Sequence, residues 1–100
     1  MVKHIVMWKL KESVDGQSRE QIALSMKSKL EGLVGLVPQI KALEVGINFA
    51  ESDTASDISL YSEFESLEDL NAYQIHPEHQ KVVAYVKTVV TERRVADYNV

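Results

Sequence analysis

The sequence predicts an α+β fold, a four-stranded antiparallel sheet with its helices on one face. Three observations carry this. Alternating runs rich in β-branched and aromatic residues fall at residues 2–10, 40–49, 57–65 and 91–99. Two intervening stretches repeat apolar residues at helical spacing, each behind a serine suited to cap a helix. The order is therefore strand, helix, strand, strand, split helix, strand, which closes most simply as one sheet through right-handed crossovers.

The first strand, residues 2–10, places Val2, His4, Val6, Trp8 and Leu10 on one face and Lys3, Ile5, Met7 and Lys9 on the other. The first set is the more apolar and should meet the helices. Residues 11–17 are polar, contain Asp15-Gly16, and read as a loop. Ser18 and Gln21 have the spacing of a capping box, in which hydroxyl and amide satisfy orphan N–H groups reciprocally. Ile22, Met26, Leu30 and Leu33 follow as one inward helix face, and Gly32, Gly35 and Pro38 end the segment.

Residues 40–49 set Lys41, Leu43, Val45, Ile47 and Phe49 against Ile40, Ala42, Glu44, Gly46 and Asn48. The polar residues 51–56 form a connection. In the third strand Ile58, Leu60 and Phe64 oppose Ser59, Tyr61 and Glu63. Ser66 then caps a helix whose early acids, Glu68 and Asp69, suit the backbone dipole, and Leu67, Leu70 and Tyr73 give it an inward face. Pro77 splits this helix. It lacks a donor N–H and fits a first helical turn, while His76, ahead of it, is pushed out of the α region. One segment should stop near Ile75 and another start at Pro77, with His76 capping the second. Val82, Val83, Val86, Val89 and Val90 repeat at helical spacing, and residues 91–99 close the sheet.

The open sheet face would then carry Ile5, Met7, Tyr61, Glu44, Glu63 and Lys9, too apolar for water and too charged for a dry core. Two such faces packed together would bury the apolar centre and pair the charges at the rim, so a homodimer through the sheet is expected.

Composition narrows the partners. One hundred residues form a single domain, here residues 1–100. The net charge of −4, with no basic cluster, argues against nucleic acid as a partner. Without cysteine the chain can form neither disulfides nor thiolate metal sites. No signal-peptide core and no apolar run of spanning length is present, so the expectation is a cytoplasmic protein with no membrane partner.

Chemistry concentrates in Tyr73-Gln74-Ile75-His76-Pro77-Glu78-His79. His79 falls in the first turn of the second segment, where the backbone dipole disfavours the imidazolium. A neutral ring at a helix break can exchange protons near neutral pH. His4 projects toward the helices, where a lone histidine is costly unless hydrogen-bonded. If His79 approaches His4 and Tyr73, three hydrogen-bonding groups converge on an apolar cavity, the usual make-up of a small-molecule site. Imidazoles bind transition metals, but His76 and His79 straddle the helix break, and neither a metal nor a cofactor is expected.

The opening Lys3-His4-Ile5-Val6, Phe64-Glu65-Ser66 and above all Tyr73-x-x-His76-Pro77-x-His79 resemble the stress-responsive A/B barrel domain (Dabb) family over essentially the whole chain. The resemblance implies a ferredoxin-like βαββαβ fold that dimerises through its sheets into an α+β barrel. The family includes plant stress proteins, bacterial proteins without assigned activity, and a plant polyketide cyclase that makes olivetolic acid. By that resemblance His4, Tyr73 and His79 match pocket positions of the cyclase, with His79 at its acid–base histidine. The tyrosine on the cyclase's first helix is Met26 here. The expected site is thus His79, Tyr73 and His4 as catalytic candidates, with Trp8, Met26 and His76 as ligand-binding candidates for a small hydrophobic or aromatic molecule. The competing expectation is a non-catalytic stress-related or structural assembly protein, in which the cluster only stabilises the fold.

Overall fold

The computed structural model describes residues 1–100. Strand β1 (Val2–Leu10) is followed by a short hairpin of β2 (Ser13–Val14) and β3 (Gln17–Ser18), then by helix α1 (Arg19–Glu31) and a 3-10 turn at Gly32–Gly35. After these come β4 (Ala42–Ile47), β5 (Ile58–Phe64), α2 (Leu67–Ile75), α3 (Pro77–Val89) and β6 (Val90–Asn99). The main sheet has the order β4-β5-β1-β6, with every neighbouring pair antiparallel. This is the antiparallel closure expected from the element order and the ferredoxin-like arrangement that the resemblance implies.

The local signals act as their chemistry dictates. At the start of α1 the Gln21 amide oxygen accepts from the Ser18 N–H at 2.8 Å, and the Ser18 hydroxyl accepts from the Gln21 N–H at 3.3 Å. Ser66 caps α2 by accepting from the Asp69 N–H at 3.1 Å. His76 stands between α2 and α3 in extended geometry (φ −63°, ψ 135°), and its Nδ1 accepts from the Glu78 N–H at 3.1 Å. Pro77 opens α3, so the helix is split where the proline required.

Ile22, Met26, Leu30 and Leu33 are all buried, against Val45, Ile58, Leu60 and Phe64 of the sheet and Leu70, Tyr73, Val86 and Val89 of the other helices. Four expectations need correction. Residues 11–17 are not all loop: Asp15 (φ 51°) and Gly16 (φ 80°) both take positive φ, the requirement of a type I′ turn, and join β2 to β3. Leu67, expected inward, is 63% exposed, because it lies in the first turn of α2, ahead of the residues that reach the sheet. Phe49, counted with the apolar face of the second strand, is 99% exposed. Pairing of β4 with β5 ends at Ile47 and Ile58, and alternation says nothing beyond that point. Val90, grouped with the helical valines, is the first residue of β6.

The helices lie on the His4 side of the sheet. The opposite side presents Ile5, Met7, Tyr61 and Tyr98, with Met7 and Tyr98 exposed. Most charges on that side are already paired: Lys3 Nζ lies 2.7 Å from Glu63 Oε2, to which the Tyr61 hydroxyl also donates, and Glu92 pairs with Arg94 at 2.9 Å and Lys9 at 3.8 Å. These contacts raise the pKa of Lys3 and lower that of Glu63. No helix is long and apolar enough to cross a membrane.

Candidate functional site

A cavity of about 390 Å³ lies between the sheet and the split helix. His4, Trp8, Tyr73 and His79 line it, and most of the remaining wall is aliphatic, including Val82, Val83 and Val86 of α3. The sequence elements explain the convergence. Period-two alternation in β1 turns His4 and Trp8 toward the helices. The inward stripe of α2 delivers Tyr73, and the break at Pro77 redirects the chain so that the first turn of α3 brings His79 back over Tyr73. The rings of Tyr73 and His79 sit 4.2 Å apart between centroids, and those of His4 and Tyr73 6.2 Å apart.

Each polar group has a legible state. The half-buried His79 has Nδ1 3.0 Å from the Gln74 carbonyl oxygen. A carbonyl only accepts, so Nδ1 carries the proton and Nε2 keeps its lone pair in the neutral ring. Burial pushes the His79 pKa below its ordinary value, aided by the charges of His4, Arg93 and His76, while the Gln74 bond opposes it. The shift has the direction expected from the sequence, and loss of water is its leading cause. Tyr73 is 1% exposed, and burial pushes its phenol up to about 12, so the hydroxyl remains a proton donor at any physiological pH.

His4 is 3% exposed, and its Nδ1 is hydrogen-bonded to Asp97 Oδ1 on the neighbouring strand. Cross-strand register makes this contact: His4 and Asp97 are directly paired in the β1–β6 ladder, so their side chains share a face. The costly lone histidine is thereby satisfied. Trp8 lines the same cavity but its Nε1–H finds no acceptor.

Four of the six expected site residues, His4, Trp8, Tyr73 and His79, therefore meet at one cavity, and two do not. Met26 is fully buried in the core under α1 and does not line the cavity. His76 is occupied as a cap and also lies outside the lining. Asp97, Arg93, Lys87 and the Gln74 carbonyl were missed by sequence reasoning. Asp97 and Arg93 could have been found from period two in the last strand, once its register against β1 is known: Arg93 pairs with Trp8 as Asp97 pairs with His4. Lys87 is one turn beyond Val83 on α3 and carries no signal of its own.

Comparison with known proteins places this chain among relatives. A family model described as Stress Responsive A/B Barrel Domain matches residues 2–100. The chain is 36% identical over 98% of its length to the stress-response A/B barrel domain-containing protein DABB1 of Arabidopsis thaliana, and it spans 46% of that relative's length. Among solved structures it superposes on a dimeric protein of unknown function and ferredoxin-like fold from Bacteroides fragilis, with TM-score 0.86 and 33% identity, covering 99% of this chain and 95% of that one. It also superposes on the hydroxynitrile lyase from Passiflora edulis with TM-score 0.82, covering 99% of this chain and 92% of that one. At 18% identity the second likeness shows the fold alone.

Proposed function

The chain belongs to the stress-responsive A/B barrel domain family, and from that premise we propose that residues 1–100 act as one such domain, a homodimer paired through the open sheet face. Each protomer holds a small, largely apolar molecule between sheet and helices, with His79 as the acid–base group. The observation that carries this reading is the convergence of His4, Tyr73 and His79 on one cavity of about 390 Å³. That volume falls in the range of small-molecule sites, and its wall is mostly aliphatic. One observation supports a dimer and a second supports the sheet as the face that pairs. The similar protein from Bacteroides fragilis is dimeric. The charges on the open face are largely neutralised in place, so covering them leaves Glu44 as the main unpaired group to accommodate at the rim.

The chemistry available is proton transfer beside an apolar wall. His79 Nε2, neutral at physiological pH, can remove a proton from a bound molecule. Gln74 holds the ring in the required tautomer, and the charge that develops on the ring strengthens that same hydrogen bond. The Tyr73 hydroxyl can donate to an oxygen of the ligand as negative charge builds on it. Asp97 fixes the orientation of His4 at the back of the site.

A second reading has its own support. His79 and Gln80 both bond the Gln74 carbonyl, at 3.0 and 2.6 Å, and this ties the end of α2 to the start of α3. The cluster would then serve the fold of a non-catalytic stress-related or structural assembly protein. Amide NMR during titration with small aromatic and polyketide-like compounds separates the two. The proposed function predicts saturable shifts centred on Tyr73, His79 and Val83. Shifts confined to residues outside the cavity, for every compound, would leave only the structural role.

A further inference from the structure

The charge around the cavity is the reverse of the charge of the chain. The whole sequence holds 15 acidic residues against 11 basic ones, yet the 15 residues lining the cavity include Arg93 and Lys87 and no carboxylate. Asp97, the acid that holds His4, stands outside the lining. Arg93 comes from β6, opposite Trp8, and Lys87 from α3, so the two cations reach the cavity from sheet and helix. Both are exposed, as a mouth requires, and neither takes part in an ion pair. Elsewhere in this protein lysine and arginine are commonly matched: Lys3, Lys9, Lys27, Lys41, Lys81 and Arg94 all have acidic partners. The positive charge of Arg93 is felt inside, where it opposes the burial-driven rise at Tyr73 and adds to the burial-driven fall at His79.

The interior adds hydrogen-bond donors to these charges. Tyr73 offers a hydroxyl that stays protonated, and the Trp8 indole N–H, in a side chain almost fully buried, lacks an acceptor. Two unpaired cations at the cavity, with the Tyr73 donor deeper in, suit a ligand that brings anionic oxygen. The aliphatic wall of Val82, Val83 and Val86 suits a hydrocarbon body.

We infer that the cavity takes a small apolar acid, an aromatic or aliphatic body bearing a carboxylate, with the carboxylate held at the mouth by Arg93 and Lys87. A guanidinium presents paired N–H groups that match the two oxygens of a carboxylate, and lysine adds a second positive charge without a fixed geometry. The body then lies inward, beside Tyr73 and His79. A carboxylate is favoured over a phosphate because only two cations are present and both are solvated, enough to match a monoanion. This rests on the cavity being a ligand site, as proposed above, and specifies what enters it.

The test is isothermal titration of the intact protein with 3-phenylpropanoate and hexanoate, and with the neutral amides of the same two acids. The acids should bind at least about tenfold more tightly than their amides, the effect of one charge-assisted contact. In the double variant Arg93→Gln, Lys87→Gln, acid affinity should fall to that of the amide while amide affinity stays unchanged. Both side chains are exposed, so an unaltered melting temperature will show that the fold persists. Equal binding of acid and amide, or a preference for acid that survives in the double variant, overturns the inference and leaves the ligand site intact. Phenyl phosphate binding more tightly than the acids overturns the assignment to a carboxylate. Failure of both acids and both amides to bind overturns the ligand site and this inference together.

Discussion

The proposed pairing through the open sheet face makes Ile5 the position to perturb. It lies at the centre of that face, with Tyr61 opposite on one side and Ala96 on the other, so no cation faces a glutamate introduced there. A charge left unpaired in a buried interface costs about 3–5 kcal/mol, and two-fold symmetry places two of them in each dimer. If relaxation and water relieve half of the total, Ile5→Glu still weakens the dimer by about 3–5 kcal/mol, or roughly a hundred- to several-thousand-fold in Kd. Met7→Glu is an informative comparison. Register places Arg94 directly opposite Met7, and a partner for the new carboxylate should make this variant the milder of the two. Sedimentation velocity over a range of concentrations reads both, with circular dichroism as a check that the sheet survives. A monomeric unmodified protein at micromolar concentration would refute the pairing, and so would an Ile5→Glu protein that remains as dimeric as the parent.

Other perturbations follow from the same coordinates. Asp97→Ala leaves the buried His4 Nδ1 without its acceptor and should lower stability by about 1–3 kcal/mol in urea unfolding, whereas Asp97→Asn, which retains an acceptor oxygen, should cost less; equal effects would argue that the pair is not a hydrogen bond worth keeping. Because burial holds His79 below its ordinary pKa, the unfolded chain takes up this proton first as pH falls. Its contribution to stability is therefore complete above the unfolded value of about 6.5 and is lost as the pH drops from there through the folded value. His79→Gln should flatten that part of the stability–pH curve, and an unchanged curve would contradict the assignment. Phe64→Ala, at a fully buried aromatic, should cost about 3–5 kcal/mol, while Phe49→Ser, at a fully exposed one, should change the urea midpoint hardly at all.

The fold was largely legible because its strongest signals are local. The capping box at Ser18, the cap at Ser66 and the break at Pro77 depend only on neighbouring residues, and each formed as its chemistry requires. The misread positions are those where local periodicity stops deciding. Leu67 keeps the helical phase of Leu70 and Tyr73, yet sits too early in α2 to reach the sheet, and Phe49 keeps the strand phase beyond the last paired residue. The Asp15-Gly16 turn did carry a hairpin signal, but two-residue strands are too short to show alternation. For the site, His4, Tyr73 and His79 could be named because each lies on a face that its own element defines. Asp97 and Arg93 could not, since their positions depend on the register of β6 against β1, a contact across some ninety residues of chain set by the whole sheet.

The central claim is that His79 is a neutral base at the wall of a ligand cavity, and long-range 15N–1H correlation spectra of the three histidines test it most directly. Across a pH titration the His79 signals should show the Nδ1–H tautomer and a midpoint below about 6.5, and both should respond when a compound occupies the cavity. A His79 ring that titrates like a free imidazole, and shifts with none of the compounds, would contradict it.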